Sequence, residues 1–247
     1  MNITTLGPQG TFSHQAVVEF DPKAKIHFCE NIEQAFELLK GGACDRILVP
    51  LENSTSGFIQ PTLNCLLKYP FFIQEQHKLP VSHFLAGFGK VEEAEVLYVH
   101  PHTYRQCYHT IQHLCPNVEV IYTPSNGASA IKLKEGKSRK FLAIIPKLAA
   151  EIYNLPLINE KIEDNSNNVT RFVLIGKKPK KGTWVLAFLF SEIPKEALTE
   201  LLKSRFSGIR VREVPLADME CPAYLIEYKG KAGLLDDFQI KPLGQFS

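Results

Sequence analysis

The sequence has no apolar run long enough to cross a membrane. Its longest uninterrupted apolar stretch, Trp184 to Phe190, is far shorter than the ~20 residues that a transmembrane helix needs. Residues 1–20 also lack the basic start and apolar stretch that are typical of a secretory signal. With 45% hydrophobic and 22% charged residues, the 247-residue chain has a globular composition, which excludes a disordered, collagen-like or coiled-coil chain. We therefore expect a cytoplasmic globular protein that does not bind membranes.

The chain has little excess charge of either sign. It contains 28 basic and 26 acidic residues, a formal net charge of +2 at pH 7. Residues 177–182 hold four lysines, and the rest of the chain has a slight acidic excess. Because Pro179 and Gly182 interrupt this short run, it is more typical of a solvated linker than of a nucleic-acid patch. We therefore expect no nucleic-acid partner, since there is no basic surplus to neutralise a phosphate backbone.

Cysteine and histidine do not occur in metal-binding patterns. The six cysteines show no CxxC pair and no regular framework, so we expect buried free thiols. His109 and His113 are four residues apart and would share a helix face, but no HExxH motif or nearby pair of carboxylates accompanies them. No metal site is predicted.

Strands and helices alternate along residues 1–176. The predicted strands are residues 2–6, 25–28, 46–51, 79–86, 95–99, 118–122, 141–145 and 170–175. The predicted helices are one that begins after Ser13 as its N-cap and those at residues 31–40, 103–114, 125–134 and 146–153. This order predicts an α/β fold with a mainly parallel sheet.

Residues 183–247 have a different order. They are predicted to form strand 183–191, helix 194–204, strands 209–215 and 223–229, a helical turn at 234–238 and a final strand near Ile240. The βαββαβ order, with a stunted second helix, predicts a small ferredoxin-like α+β domain. Since its size is near the limit of independent stability, we expect it to pack against a partner surface.

Three polar segments are predicted to lie where a strand meets a helix: residues 7–13, 52–57 and 165–171. Such loops bind ligands in α/β folds, and free N–H groups at helix N-termini in the first two would favour an anion. Arg171 is a candidate clamp for a carboxylate. The alternative is that Ser13, Ser54 and Thr55 only cap helices and form turns. Because dinucleotide, P-loop and nucleophile-elbow motifs are absent, these patterns alone name no reaction.

Five segments together resemble the prephenate dehydratase family of phenylalanine biosynthesis. They occur in the family's order and at its usual spacings, and they cover essentially all of residues 1–176. They are Leu6-Gly7-Pro8-Gln9-Gly10-Thr11-Phe12-Ser13, Val49-Pro50-Leu51-Glu52-Asn53-Ser54 with Gly57, Leu79-Pro80-Val81-Ser82-His83, His100-Pro101 with Gln106-Cys107, and Asn168-Val169-Thr170-Arg171-Phe172.

The resemblance implies an architecture in two parts. Residues 1–176 would form a two-lobed catalytic domain like the type-II periplasmic binding proteins, with the active site in the cleft between the lobes. Lobe 1 would comprise about residues 1–78 and 158–176, and lobe 2 about residues 79–157. Residues 177–182 would link this domain to an ACT-like regulatory or oligomerisation domain at residues 183–247. The resemblance also implies a homodimer or homotetramer.

The implied reaction is the conversion of prephenate to phenylpyruvate with loss of water and carbon dioxide, without a metal or organic cofactor. The family's catalytic threonine corresponds to Thr170, which would donate a hydrogen bond or proton to the departing C4 hydroxyl. The implied substrate-binding residues are Thr11, Ser13, Glu52, Asn53, Ser54, His83, Gln106, Arg171 and Phe172. For two of them a structural role is equally expected, Glu52 as a helix-end or turn carboxylate and His83 as a buried, hydrogen-bonded histidine.

The C-terminal segment departs from the family where an effector would bind. Phenylalanine-sensing ACT domains carry Gly-Ala-Leu and Glu-Ser-Arg-Pro, whereas this chain has Glu196 before Ala197-Leu198, and Glu213-Val214-Pro215. Ala197, Leu198 and Glu213 would be the effector-binding residues. Because glycine lets a ligand approach the backbone closely, its loss predicts weak or absent phenylalanine feedback. Two alternative functions stay open: an arogenate dehydratase, and a non-catalytic sensor of small anions on the same scaffold.

Overall fold

A computed structural model describes residues 1–216, 221–230 and 238–246 of the chain. The strands are β1 (Asn2–Leu6), β2 (Lys25–Cys29), β3 (Arg46–Asn53), β4 (Gly57–Phe58), β5 (Phe72–Pro80), β6 (Phe84–Gly87), β7 (Val96–Val99), β8 (Glu119–Tyr122), β9 (Phe141–Ile145), β10 (Leu157–Asn159), β11 (Val169–Gly176), β12 (Trp184–Phe190), β13 (Ser207–Val214), β14 (Ala223–Lys229) and β15 (Gln239–Phe246). The helices are α1 (Phe12–Phe20), α2 (Ile32–Gly41), α3 (Gln60–Lys68), α4 (Pro101–Gln106), α5 (Tyr108–Leu114), α6 (Asn126–Gly136), α7 (Lys147–Tyr153) and α8 (Lys195–Lys203). The predicted α/β fold class is confirmed.

The chain divides into two compact units. Unit 1 consists of Met1–Thr4, Asn31–Lys78 and Arg171–Ser247, and unit 2 of Thr5–Glu30 and Leu79–Thr170. In the parts of these units that the structure describes, no helix is long and apolar enough to span a bilayer.

A mixed sheet organises unit 1. Within this unit its strand order is β13-β14-β12-β15-β5-β11-β3-β1, with β4 beside β3. The strands of the C-terminal segment therefore continue the sheet of the N-terminal region, because β15 pairs in parallel with β5 at Gly244 and Ile73. Gly244 has a φ of 149°, and a Cβ there would collide with the carbonyl oxygen of Ile73. This pairing gives the small C-terminal segment a surface to pack against.

The C-terminal strands form a split βαβ arrangement. β14 lies between β12 and β13 and is antiparallel to both, and α8 connects β12 with β13. Val185, Ala187 and Leu189 alternate along β12 and pack with Leu198 and Leu202 of α8. One face of this sheet is therefore covered by α8. The predicted helical turn at 234–238 lies outside the described residues except for Phe238.

A five-stranded sheet with the order β10-β6-β9-β7-β8 forms the centre of unit 2. β7 is parallel to β8 and β9, while β6 is antiparallel to β9 and β10. Alternate residues of β9 enter two cores: Leu142 and Ile144 pack in one, and Ala143 and Ile145 in the other. Helices therefore cover both faces of this sheet, as expected for an α/β unit.

Two predicted helix boundaries are wrong. Ser13 is not an N-cap: it lies buried in the first turn of α1, and Thr11 is the N-cap, with its side chain accepting from the amide of His14. The helix predicted over residues 103–114 consists of α4 and α5, which meet at Cys107. Cys107 has a φ of −122° and a ψ of 12°, which interrupts the regular helix.

The polar segments at 52–57 and 165–171 do not lead into helices. Residues 52–57 form the turn between antiparallel strands β3 and β4, with Asn53 opposite Gly57. Gly57 has a φ of 79°, which favours a tight turn over a helix start. Residues 165–171 precede and begin β11. The strand predicted at 79–86 is also divided, since β5 ends at Pro80 and β6 begins at Phe84.

Candidate functional site

Arg171 of β11 carries a buried guanidinium in unit 1. Arg171 as a whole is 5% exposed. Its Nη1 donates to Gln76 Oε1 at 3.0 Å and to Glu227 Oε2 at 3.1 Å. Its Nε lies 3.1 Å from Glu52 Oε1. Burial lowers the pKa of Arg171, while the charges of Glu52 and Glu227 raise it. Two carboxylates therefore stabilise the charged guanidinium in a poorly solvated position.

A second arginine completes this arrangement. Arg212 of β13 pairs with Glu52 Oε2, and its guanidinium lies 4.9 Å from the centre of the Phe58 ring. We call Glu52, Arg171, Arg212 and Glu227 the ion-pair network. Its two arginines and two glutamates carry no net charge, which reduces the cost of burying them.

Asn53 and Ser54 form the turn after β3. The Asn53 side chain is buried, and its Oδ1 accepts from the amides of Thr55 and Ser56 at 3.0 Å and from Ser56 Oγ at 3.1 Å. Ser54 is exposed. Asn53 therefore fixes the shape of the turn.

Thr170 and Phe172 lie on the other face of β11 from Arg171. Successive side chains of a strand alternate, so the hydroxyl of Thr170 and the ring of Phe172 share a face. Both are buried, at 9% and 2% exposure. The three consecutive residues thus place a hydroxyl and a guanidinium on opposite sides of one strand.

Thr11 and Ser13 lie at the start of α1 in unit 2. Thr11 Oγ1 donates to the carbonyl of Leu6 at 3.1 Å and accepts from the amide of His14 at 3.2 Å. Ser13 is buried, and its carbonyl accepts from Thr5 Oγ1 at 3.4 Å. The hydroxyl of Thr11 therefore has a capping role in this structure.

His83 and Gln106 are brought together in unit 2. His83 is 1% exposed, its Nε2 lies 2.8 Å from Gln106 Oε1, and its amide donates to Glu163 Oε2 at 2.8 Å. Gln106 Nε2 in turn lies 3.0 Å from His102 Nε2. Burial lowers the pKa of His83, although the hydrogen bond to Gln106 opposes this, so the imidazole is neutral near pH 7. A neutral ring that donates from Nε2 leaves Nδ1 as an acceptor.

The three candidate effector residues are placed differently. Leu198 is fully buried in the core beneath α8, whereas Ala197 and Glu213 are exposed. Leu198 therefore has a packing role in this structure.

Sequence reasoning missed several polar partners of the site residues. They are Gln76, His102, Glu163, Arg212 and Glu227. A signal existed for Glu227, because it is the only carboxylate in the apolar strand Ala223–Lys229, and a buried carboxylate needs a cationic partner. Nothing in the sequence indicated which cation that was.

A family model and several curated relatives identify the family of this chain. The family model described as prephenate dehydratase matches residues 3–180. Prephenate dehydratase of Methanocaldococcus jannaschii is 33% identical over 208 residues, which are 79% of this chain and 74% of that protein. Arogenate dehydratase 3 of Arabidopsis thaliana is 30% identical over 181 residues, 72% of this chain and 43% of that protein. The chain spans about half the length of several curated relatives that it matches.

A solved structure supports the same assignment. Prephenate dehydratase of Arthrobacter aurescens, in complex with L-Phe, has a TM-score of 0.84 and 25% identity, with 100% of this chain and 90% of that chain covered. The two-sheet α/β fold and the match over residues 3–180 thus define a protein with a region like that of prephenate dehydratases. The chain belongs to the prephenate dehydratase family.

Proposed function

We propose that this protein is a prephenate dehydratase, which converts prephenate to phenylpyruvate. The observation that carries the proposal is the family match over residues 3–180, which includes Thr170-Arg171-Phe172 on a buried strand. The buried hydroxyl and the buried guanidinium, on opposite faces of this strand, are the types of donor that suit a substrate that loses a hydroxyl group and carries two carboxylates.

The reaction breaks two bonds of the substrate ring. The bond from the ring to its carboxylate breaks and releases carbon dioxide, and its electron pair completes the aromatic ring as the C4–oxygen bond breaks. The departing oxygen takes up a proton and leaves as water. Thr170 is proposed to donate a hydrogen bond or proton to this oxygen within a polar network, since a neutral hydroxyl alone is a weak acid. Because aromatisation favours the fragmentation, orientation of the substrate is the protein's other main task.

Arg171 is proposed to bind a substrate carboxylate. Within the residues that the structure describes, its Nη2 is buried without a hydrogen-bond partner, whereas Nη1 donates to Glu227 and Gln76. A buried N–H group without a partner is costly, and a carboxylate would satisfy it. Nη1 and Nε thus face protein partners, and Nη2 is the nitrogen proposed to meet the substrate carboxylate.

The test is phenylpyruvate formation from prephenate at neutral pH. We expect Thr170→Ala to lower kcat by about a hundredfold or more, and Thr170→Ser, which keeps the hydroxyl, to retain most of the activity. An enzyme-free control corrects for the spontaneous aromatisation of prephenate. Equal activity of the alanine and wild-type proteins would refute the role of Thr170.

Arogenate dehydratase is the second candidate, and the similarity to the Arabidopsis arogenate dehydratase supports it. Arogenate differs from prephenate in carrying an amino group in place of the side-chain keto group. Parallel turnover of both substrates decides between them. Tight binding of either compound by folded protein without turnover would instead support a non-catalytic sensor.

We further propose that the protein acts in the cytoplasm. All six cysteines are free thiols and five are buried, which suits a reducing compartment. The division into lobes, linker and ACT-like domain, the homo-oligomer and the weak phenylalanine response stay predictions.

A further inference from the structure

We propose that Glu227 and Arg212 are positioning residues for the dehydratase reaction, through which the C-terminal strands hold Arg171 and Glu52 in their working geometry. The inference rests on the proposed function. It assigns a role in turnover to residues after position 180, where the match to the family model ends.

Glu227 and Arg212 lie on the same face of the C-terminal strands. In the register of β13 and β14, Arg210 is opposite Glu227 and Arg212 is opposite Leu225. Glu227 therefore shares its face with Arg210 and Arg212, while its neighbours Ile226 and Tyr228 point into the core beneath α8. The face that α8 does not cover thus presents two charges to Arg171 and Glu52.

Glu227 offsets the buried charge of Arg171, and it also fixes how the guanidinium is rotated. The residue is 6% exposed, and a buried ion pair contributes little net stability compared with apolar residues of the same size. In contrast, a carboxylate fixed 3.1 Å from Nη1 determines how the guanidinium is rotated. Glu227 therefore determines the direction in which Nη2 of Arg171 points.

Arg212 has the corresponding effect on Glu52. It pairs with Oε2 of Glu52, while Oε1 lies 3.1 Å from Arg171 Nε. A carboxylate held from both sides has less freedom to rotate than one with a single partner. The two C-terminal residues thus hold Arg171 on the face of β11 opposite Thr170, and small displacements of such groups can cost about a hundredfold in rate.

Glu227→Gln is the first variant, because glutamine has nearly the same shape without the charge. We expect kcat/KM for prephenate to fall about tenfold or more, with the far-ultraviolet circular dichroism and cooperative unfolding of the wild type retained. Arg212→Gln is the second variant, at a more accessible position, and we expect a loss of about threefold or more. Glu200→Gln is the matched control: Glu200 pairs with Lys203 on the surface of α8, and we expect activity within twofold of the wild type.

A double-mutant cycle separates positioning from a general structural role. If Glu227 acts through Arg171, adding Glu227→Gln to Arg171→Met lowers kcat/KM by less than twofold further. Losses that multiply in the double variant would overturn the inference, as would an unchanged kcat/KM in both single variants. If Glu227→Gln does not fold, an Arg212→Gln protein with the kcat/KM of the wild type overturns the inference. A wild-type protein that turns over neither prephenate nor arogenate rejects the proposed function instead.

Discussion

Gly10 shows how a single backbone position constrains the loop before α1. Its φ is 83°, and a Cβ at this position would lie 2.8 Å from the Cβ of Ala149. A left-handed conformation costs a residue with a side chain about 1–2 kcal/mol, and overpacking adds about 1–3 kcal/mol. We expect Gly10→Ala to lower the free energy of unfolding by about 2–5 kcal/mol, measured by urea denaturation.

Gly41→Ala is the control for this substitution. Gly41 is the last residue of α2, and an added Cβ there meets no atom within 4 Å. Alanine also favours helix, so we expect no loss and a gain of up to about 1 kcal/mol. An equal destabilisation by both substitutions would contradict the explanation for Gly10.

Individual site residues could be predicted from the sequence where a motif identified them. Thr170 and Arg171 belong to such a motif, and the structure places both on a buried strand. The partners of Arg171 could not be predicted, because Gln76 and Glu227 are 95 and 56 residues away along the chain. Pairing over such distances depends on which strands neighbour each other, and local patterns do not determine strand order.

A side chain from a distant loop supplies the cap that α5 lacks at its own N-terminus. Cys107 precedes α5 without a capping side chain, and Asp164 instead accepts from the amides of His109 and Thr110 at 3.0 Å. Burial raises the pKa of Asp164, but these hydrogen bonds outweigh it and hold the pKa below its usual value. The same residue donates its amide to the carbonyl of Gln106, so it also anchors a candidate site residue.

We expect Asp164→Ala to destabilise the protein by about 1 kcal/mol at pH 7, or roughly 2–4 °C in thermal midpoint. Because the folded-state pKa is lowered, this contribution is complete above the unfolded pKa of about 4 and is lost as pH falls through the folded pKa. The difference in the free energy of unfolding between Asp164→Ala and the wild type should therefore become smaller as the pH is lowered. Glu160→Gln, at an exposed position in the same loop, is the control, and a loss equal to that of Asp164→Ala would exclude the cap.

Helices with their own caps were predictable, and those that depend on distant residues were not. Asn31 and Gly42 bound α2 as its amphipathic pattern predicts, since Asn31 accepts from the amide of Gln34 and Gly42 is left-handed. The separation of α4 from α5 has no local breaker residue such as proline or glycine at Cys107. The side chain at this break that accepts from the first amides of α5 belongs to Asp164, which lies far along the chain.

For the whole molecule, the positions of the strands along the chain were more predictable than the pairing of those strands in a sheet. Each strand predicted at residues 183–247 is present, with β14 at its predicted bounds. Alternating apolar residues determine such strands locally. The pairing of β15 with β5 was not predictable, because it joins segments that are more than 150 residues apart through one parallel contact at Gly244. That contact is what allows the C-terminal strands and β11 to share one sheet.

The stability of the whole molecule should decrease in mild acid because several histidines are buried in neutral form. Burial lowers the pKa of His14, His83, His100 and His102 below the usual 6.5. Neighbouring positive charges lower it further at His100 and His102, whereas Gln106 and Glu163 oppose the shift at His83. The unfolded chain therefore takes up more protons than the folded one as pH falls below 6.5, and stability is lost in that range. We expect the free energy of unfolding in urea to fall steadily from pH 7.5 to pH 5.5, by up to about 1.4 kcal/mol per pH unit for each histidine that stays neutral.

His14 offers the most direct test of this linkage. Its Nδ1 accepts from the amide of Gly10 at 3.1 Å, which requires an unprotonated nitrogen. His14→Gln removes one titrating group, so the dependence of stability on pH should become less steep between pH 7.5 and pH 5.5. His113→Gln, at an exposed position, should leave the slope unchanged. A wild-type stability that is constant or rises over this range would show that the buried histidines are not the groups that couple folding to pH.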